Sequence, residues 1–538
     1  MATDSSVELE TPGALTSKGA GGSHQDQGGF ARGTLLWLVF SSGVAVMGLE
    51  MSASRLIAPY FGSTLSVWTS LIGLVMIFLT AGYYLGGSLA DRAPSRGVLG
   101  ALVLVAGLLA MALPLVSTPV LRAAWGLTPK AGLLPASLLA TLALFSLPTI
   151  LLGCVCPFAM KLSISDLGRT GRTSGRVYAV SAMGSVVGTF LPALVTIPRF
   201  GVRHSIMVFG ALLVVAALLL LARARFLPAA GAMFLLGVPL PPMVPMQGAI
   251  VERESPYNYL RVVQAGPARL LIVDWGAFSA YIPGEFRTGE YYDYLLLAPL
   301  LRSQPPAEWL RRVLVIGLGA GTVSKQITAA YGALPIDGVE IDPAIVDLGR
   351  SYFAMDEANL KVYVTDGRAF LAGARGPYDW VIVDAYQSSD IPFHLVTKEF
   401  FRQLRDRMGP QGVLAINVAW WKPDDPVLLG RLVATVQAVF PKVFTVTGIS
   451  RQSGAVLLAG GDDLSISNLL RTVQAVGHPG VTEIAREVLG GSGPHLSAAT
   501  AIGQPLTDDR APIEAIADRM YRQNRRESFQ REQSVLKP

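Results

Sequence analysis

The sequence predicts two unlike halves: an α-helical transmembrane bundle, followed by a small antiparallel β-domain and a doubly wound α/β sheet. Two observations predict this architecture. The chain of 538 residues is 51% hydrophobic and only 15% charged, whereas soluble proteins carry about 25% charged residues. Long apolar runs fill the first half, and beyond residue 250 short apolar strands alternate with amphipathic helices. The predicted segments are a disordered tail at 1–32, the transmembrane domain at 33–247, the β-domain at 248–300, the α/β domain at 301–480 and a C-terminal extension at 481–538.

Seven apolar runs are candidates for membrane spans, each of which needs about 20 apolar residues. Six are convincing spans, whereas four prolines crowd the end of the seventh and its apolar stretch is short. Gly82 with Gly86, and Gly184 with Gly188, have the small-xxx-small spacing that lets helices approach closely, although glycine is also frequent in spans generally. The runs are 33–53, 65–90, 98–118, 132–158, 177–198, 204–222 and 228–246.

The positive charge belongs to the membrane half. Residues 33–250 hold 13 basic and three acidic residues, which gives +10, while the whole chain carries +6. Basic residues in the loops between apolar runs are typical of a protein in a lipid bilayer, so the charge does not indicate a nucleic-acid partner. Glu50 and Arg55 lie at the end of the first run; they are either functional or a pair that fixes the depth of the helix.

Alternate loops share the basic residues unequally, ten against five, which predicts a cytoplasmic N-terminus in a multi-pass protein of the inner (cell) membrane. Six or eight spans then leave the soluble half in the cytoplasm, and seven place it outside. We expect a cytoplasmic soluble half, with 228–246 re-entrant or interfacial or one span unrecognised, because the chemistry below uses a cytosolic metabolite. The larger set is Lys18, Arg32, Arg92, Arg96, Lys161, Arg169, Arg172, Arg176, Arg223 and Arg225; the smaller is Arg55, Arg122, Lys130, Arg199 and Arg203.

A glycine-rich turn opens the α/β half. The apolar strand 313–316 is followed by Gly317, Gly319 and Gly321 and then by a helix, and Glu340 ends the next strand. Glycines let a ligand approach the backbone at the helix N-terminus, and the acid accepts hydrogen bonds from ribose hydroxyls. The pattern predicts a Rossmann-like site for nucleosides of the S-adenosylmethionine type as well as NAD; a Rossmann-like domain without nucleotide is the alternative.

Two further acids follow strands of the same sheet. Asp366 precedes Gly367 after the third strand, and Asp384 follows the fourth. Since ligands bind beyond the carboxyl ends of parallel strands, both acids are expected to converge with Glu340. Asp384 is the candidate catalytic base, or else a helix cap or loop anchor. His394 lies nearby and is expected to cap the following helix rather than titrate in the site. With only Cys154 and Cys156 in the chain, we expect no metal site.

Five motifs, in order, resemble the spermidine synthase family, the polyamine aminopropyltransferases. They cover about residues 250–460, and the membrane bundle ahead of them resembles the bacterial fused, transporter-like members of that family. The C-terminal signature of those fused members is also similar to residues 506–512. The motifs are Glu254–Asn258, Val313–Thr322, Gly338–Asp342, Asp366-Gly367 and Tyr378–Asp384.

The resemblance implies a role for each matching position. Glu340 is implied to hold the ribose and Asp366 the adenine amino group of decarboxylated S-adenosylmethionine, with Asp384 positioning and deprotonating an attacking amine. A homodimer is also implied. The further positions are Gly317, Gly319, Gly321, Gly367 and Asn258 for the nucleoside, and Tyr291, Asp293 and Gln387 for the amine.

Two departures from the family pattern bear on the substrates. Ala320 and Gln387 stand where the family has aspartates that face cationic groups. Each lost pair is worth about 1.5–3 kcal/mol, and the loss of the loop carboxylate admits intact S-adenosylmethionine as a donor.

The leading hypothesis is therefore a membrane-bound enzyme that moves an aminopropyl group to a polyamine or other small amine and releases methylthioadenosine. The alternatives are another S-adenosylmethionine enzyme (a methyltransferase, an aminocarboxypropyltransferase or a sulfonium-cleaving lyase), or a non-catalytic polyamine- or nucleoside-binding transporter or sensor.

Overall fold

The computed structural model describes residues 23–513 and residue 516, apart from 63–64, 165–166, 222–239, 241, 275, 387–391, 420–425, 450–453 and 492. An N-terminal helical bundle (residues 23–221) precedes a four-stranded and an eight-stranded sheet. The helices of the bundle are α1 Ser23–Phe61, α2 Leu65–Arg92, α3 Arg96–Ala131, α4 Leu133–Gly153, α5 Val155–Ser163, α6 Thr170–Leu191 and α7 Ile197–Leu220.

Within the described residues, five helices are long and apolar enough to cross a membrane. They account for all six convincing runs, because α6 and α7 join through a π-helical turn into one apolar stretch, Thr170–Leu220. The first helix begins at Ser23, so residues 23–32 of the predicted tail are helical, and residues 1–22 lie outside the described part. Most of the seventh candidate, 228–246, also lies outside it.

Glycines bring the helices of the bundle into backbone contact. A Cβ on Gly82 would lie 2.2 Å from the Ile150 carbonyl oxygen, and one on Gly86 would lie 2.5 Å from Cys154 Cα. Gly184 and Gly188 lie equally close to α1, since a Cβ on either would lie 2.2 Å from a carbonyl oxygen, that of Phe40 or Val44 respectively. Both small-xxx-small pairs thus lie at helix–helix contacts, where any side chain would separate the helices.

The chain leaves the bundle at one end and returns at the other. Leu221, after α7, packs on Gly100 near the start of α3, and Asp91 and Lys161 form an ion pair of 2.7 Å at that same end. Residue Met243, by contrast, accepts a hydrogen bond of 2.6 Å from the Tyr60 hydroxyl at the end of α1. The soluble half therefore lies at the end opposite the start of α1. The expectation that the N-terminus and the soluble half lie on the same side is wrong for this arrangement.

The predicted β-domain is a four-stranded antiparallel sheet with strand order β1-β2-β3-β4. Its apolar side chains pack against the α/β domain, since Leu260, Val262 and Leu271 share a buried cluster with Leu348 and Phe353. The strands are β1 Ala249–Glu254, β2 Tyr259–Ala265, β3 Ala268–Val273 and β4 Gly276–Tyr281.

The eight-stranded sheet has the order β12-β10-β11-β9-β8-β5-β6-β7. Strands β9, β8, β5, β6 and β7 are parallel, as predicted, whereas β11, β10 and β12 add an antiparallel edge. The domain boundary predicted at residue 480 falls short, because β12 pairs with β10 and Leu506 is fully buried. The strands are β5 Val313–Ile316, β6 Ile336–Glu340, β7 Leu360–Val364, β8 Tyr378–Val383, β9 Met408–Ala419, β10 Lys442–Thr447, β11 Gly454–Gly460 and β12 His495–Ala498.

Helices cover both faces of this sheet, which gives two apolar layers. The short helices α8 and α9 precede β5, and the others connect or follow the strands. They are α8 Tyr291–Leu295, α9 Pro306–Trp309, α10 Thr322–Tyr331, α11 Pro343–Tyr352, α12 Gly367–Gly373, α13 Lys398–Arg405, α14 Val427–Gln437, α15 Leu469–Val476 and α16 Pro479–Leu489.

Adjacent glycines of α2 test the close contact with α4. Gly86→Ala is expected to destabilise the purified protein by about 1–3 kcal/mol, because the new methyl group overlaps the Cys154 backbone. Gly87→Ala is the matched control, since no atom lies within 4 Å of its Cβ position. Thermal unfolding in lipid nanodiscs measures both variants, and equal midpoints would contradict the contact.

Candidate active site

The glycine turn is shaped by contacts that exclude side chains. Gly317, Gly319 and Gly321 have φ angles of 86°, 56° and 85°, a region that favours glycine. A Cβ on Gly317 would lie 2.2 Å from the Asp384 carbonyl oxygen, so the turn packs directly on the residue after β8. The predicted order of strand, glycine turn and helix is present, with α10 beginning at Thr322.

Glu340 ties the turn to the end of β6. Its carboxylate accepts hydrogen bonds from the Gly319 N–H at 2.9 Å and the Asp342 N–H at 3.1 Å. The residue is only 7% exposed, and burial raises the pKa of Glu340 to about 7 despite these donors. The carboxylate thus lies against the glycine turn, as the sequence predicts.

Asp384 follows β8 and is held between two donors. The Tyr291 hydroxyl donates to Oδ2 at 2.9 Å, and Asn417 Nδ2 donates to Oδ1 at 2.8 Å. Burial raises the pKa of Asp384 to about 7, the two donors oppose this rise, and the charge of Glu340 adds to it. Glu340 and the Asp384 backbone both contact the glycine turn, so the two residues meet at the carboxyl ends of β6 and β8, the crevice where such sheets bind ligands.

Asn417 is the functional candidate that the sequence analysis missed. It lies in β9, the strand beside β8, and is 3% exposed. Its Nδ2 orients Asp384, while its Oδ1 has no hydrogen-bond partner among the described residues. The signal was an asparagine in an otherwise apolar strand, because a buried amide there needs partners.

Asp366 and His394 form a pair at the start of α12. Asp366 Oδ1 caps that helix by accepting the Ala369 N–H at 2.9 Å, and Oδ2 lies 3.0 Å from His394 Nε2. Burial tends to raise the pKa of Asp366, but the Ala369 hydrogen bond and the His394 contact outweigh it and lower the pKa. The expected capping role of His394 is wrong, since Thr397 caps α13 by accepting the Phe400 N–H.

Asp293 serves the fold instead of presenting a free carboxylate. It is fully buried, and its oxygens accept hydrogen bonds from Thr288, Gly289 and Gln326 at 2.7–3.0 Å. Arg287 Nε lies 3.5 Å from Oδ2. The structure therefore brings Tyr291, but not the Asp293 carboxylate, to Asp384.

Asn258 contacts Asp342, two residues after Glu340. Its Nδ2 donates at 3.1 Å to Asp342 Oδ2, which also accepts the Ser255 hydroxyl at 2.5 Å. Gly367 packs on Ile316, so it supports the end of β5. Gln387 lies outside the described residues. Among those that are described, no group of three His, Cys, Asp or Glu residues is placed to hold a metal ion.

The turn offers few free donors to an anionic ligand. The Gly319 N–H binds Glu340, the Ala320 N–H binds Ser279 Oγ at 2.8 Å, and the Gly321 N–H binds the Leu318 carbonyl at 3.2 Å. A pyrophosphate needs such N–H groups free, and the two carboxylates would repel it. The crevice therefore fits a nucleoside that carries a positive charge better than NAD, and Asp384 has the pKa of a base that works near neutral pH.

Asp293→Asn tests the structural role of that carboxylate. We expect the variant to destabilise the soluble half by about 2–4 kcal/mol, because at least one of its buried donors then meets an NH₂ group. Glu483→Gln is the matched control, since Glu483 also pairs with Arg287 but has a side chain 68% exposed. Thermal unfolding with both variants checks this, and equal midpoints would show that Asp293 is not a structural residue.

The part of the chain that contains this site is similar to a known protein family. Residues 299–449 match the family described as spermine/spermidine synthase domain. The chain is 31% identical to a probable polyamine aminopropyl transferase of Bifidobacterium longum over 286 residues, which is 49% of this chain and 61% of that protein. It is 35% identical to the polyamine aminopropyltransferase of Vibrio vulnificus over 133 residues, 24% of this chain and 43% of that one. The chain thus spans less than two thirds of either relative.

The solved structure of a probable spermidine synthase from Corynebacterium glutamicum matches this chain at 18% identity and a TM-score of 0.39. The match covers 49% of this chain and 99% of the other. The matched segment contains the glycine turn, Glu340 and Asp384. Residues 299–449 are thus similar to a spermine/spermidine synthase domain, and an apolar helical region precedes them.

Proposed function

We propose that the protein is a membrane-bound aminopropyltransferase. It moves the aminopropyl group of decarboxylated S-adenosylmethionine to an amine of a polyamine and releases methylthioadenosine. The observation that carries this proposal is Asp384, a carboxylate with a pKa of about 7 held between Tyr291 and Asn417 in the crevice of Glu340. The names of the curated relatives support the same reaction class.

The reaction is a direct displacement at carbon. The lone pair of a neutral amine forms the new C–N bond, the C–S bond breaks, and its electron pair neutralises the sulfonium. Alignment of the two substrates supplies most of the catalysis, because the leaving group is already activated. Asp384 takes the proton that the amine must lose, and the Tyr291 and Asn417 donors fix the orientation of its carboxylate.

The nucleoside is proposed to lie along the carboxyl ends of β5, β6 and β7. Glu340 accepts the ribose hydroxyls, and Asn258 flanks the same edge through Asp342. Asp366 accepts the adenine amino group through the oxygen that now contacts His394. The amine approaches Asp384 beside Tyr291, and Asn417 Oδ1, which has no partner among the described residues, accepts one of its N–H groups.

A second candidate concerns the donor. Ala320 is fully buried in an apolar cluster with Leu348 and Phe353, so no charge at this position holds the ammonium of an aminopropyl group. Intact S-adenosylmethionine then becomes a possible donor, in a methyl or aminocarboxypropyl transfer or in cleavage without an acceptor.

One assay separates these functions. Purified protein is incubated with decarboxylated or intact S-adenosylmethionine, with and without putrescine and spermidine, and the products are identified by mass. Polyamine elongation with methylthioadenosine release is the expected result. Products from the intact donor alone would replace the proposal with the second candidate, and tight binding without turnover would indicate a sensor or transporter.

Asp384→Asn tests the assignment of the base. We expect turnover to fall by about 10²–10⁴-fold while nucleoside binding is retained. In the wild type the rate should rise with pH through about 7, since Asp384 accepts a proton only when ionised, and this rise should vanish in the variant. Asp379→Asn, at the other end of β8, is the control expected to keep full activity. Retained activity in Asp384→Asn would remove its assigned role.

A lipid bilayer is proposed as the partner of the helical region. Large apolar side chains are exposed on its surface, among them Ile77, Tyr84, Met183 and Phe190 at 59–78%. Such a surface is stable in lipid but not in water. The inner (cell) membrane and a homodimer remain proposals, to be measured by fractionation and by mass spectrometry of the intact complex.

The N-terminus and the synthase domain are proposed to lie on opposite sides of that bilayer, because α1 starts at one end of the bundle and the soluble half is attached at the other. A cytoplasmic N-terminus and a cytoplasmic synthase domain therefore exclude each other. The excess of basic residues, ten against five, favours a cytoplasmic N-terminus, whereas a cytosolic donor favours a cytoplasmic synthase domain.

Reporter fusions decide the topology. A fluorescent protein that folds only in the cytoplasm and a phosphatase active only outside it are fused in turn before Met1 and after Pro538. Opposite results at the two ends are expected, and the same result at both would contradict the arrangement. The measurement also identifies the compartment that must supply the donor.

A further inference from the structure

Helix α7 is broken at Gly201, which has φ 76° and ψ 173°. The carboxylate of Glu254, the last residue of β1, occupies the break. It accepts the Val202 N–H, the first amide of the resumed helix, and its other oxygen lies 3.6 Å from Arg203 Nε. A Cβ on Gly201 would lie 2.7 Å from Glu254 Oε2, so glycine leaves the room that this contact needs.

The turn after Glu254 is held from α1 as well. Arg55 Nη1 donates at 2.9 Å to the Tyr257 carbonyl. The segment Glu254–Asn258 is thus fixed to the bundle at two points. One is the Glu254 carboxylate at the start of a helix segment, where the helix dipole favours negative charge. The other is the Arg55 guanidinium. This contact also gives Arg55 a role, for which the sequence allowed either a function or a part in fixing the depth of the helix.

The opposite face of the same turn holds the nucleoside edge. Ser255 Oγ and Asn258 Nδ2 both donate to Asp342 Oδ2. The Asp342 N–H donates to Glu340, and Glu340 accepts the Gly319 N–H of the glycine turn. Bonded contacts therefore run without interruption from the break in α7 to the glycine turn.

We propose that Glu254 is a positioning residue, through which helices α1 and α7 hold the nucleoside-binding edge of the synthase domain. The site assignment rests on the proposed function, but the mechanical link does not. Glu254 contacts neither the glycine turn nor Asp384; it acts through Ser255, Asn258 and Asp342. If Glu254 only fastened the two halves together, its loss would leave the glycine turn unchanged.

The test uses the full chain in lipid nanodiscs. In Glu254→Gln the charge that pairs with Arg203 is lost, and Gly201→Ala displaces an intact Glu254. For both variants we expect the Gly319 and Ala320 amides to exchange hydrogen about tenfold faster. The dissociation constant of the sulfonium nucleoside should also rise about tenfold, with the amine KM and the kcat at saturating donor unchanged. Glu252→Gln is the matched control, because Glu252 lies on the same strand but accepts the Tyr259 hydroxyl within the β-domain.

Hydrogen exchange separates this inference from the proposed function. Unchanged exchange at the glycine turn in both variants overturns it, even if activity falls, and so does an equal change in Glu252→Gln. Faster exchange confined to the two variants supports it, even if the wild type binds no sulfonium nucleoside, a result that would count against the proposed function alone. A uniform fall in thermal stability without a local change at residues 317–321 would show a merely structural contact.

Discussion

The contact of the glycine turn with the end of β8 is the constraint on which the rest of the site depends. Gly317 lies so close to the Asp384 carbonyl that no side chain fits between them. The turn is therefore fixed against Asp384, whose carboxylate is the proposed base, and Glu340 also holds it through the Gly319 N–H. A single substitution at Gly317 would move both carboxylates, since both are located by the same five-residue turn.

The same contact concentrates negative charge. Glu340 and Asp384 each have a pKa of about 7, because both are buried; the charge of Asp342 adds to the rise for Glu340, and the charge of Glu340 adds to the rise for Asp384. For acids whose folded pKa exceeds the unfolded value of about 4, stability is lost as pH rises from about 4 through 7. A bound cation reverses this loss by favouring the ionised forms. The two carboxylates therefore suit a positively charged nucleoside, and under the proposed function its binding would ionise Asp384, the proposed base.

Much of this could be predicted from the sequence, because strand ends of a parallel sheet must meet at one edge. That rule placed the glycine turn, Glu340, Asp366 and Asp384 together. It could not show that Asp293 is saturated by its own neighbours, since its donors come from a loop and from Gln326 on α10. Asn417 was missed for the same reason: its importance arises from the pairing of β9 with β8. The antiparallel edge β10–β12 was missed because its apolar strands have no motif that marks their direction.

The contact at Gly201 also changes how the charge distribution of the bundle is interpreted. Arg55 and Arg203 belong to the smaller basic set, but Arg55 binds the Tyr257 carbonyl and Arg203 lies against Glu254. Both contact the part of the chain that follows the bundle, and Arg203 lies there against a carboxylate of opposite charge. In the larger set Lys161 is likewise paired with Asp91, so each set contains an ion pair and the excess of the larger set is not explained by pairing. Arg55 and Arg203 are therefore part of the contact that holds the soluble half to the bundle.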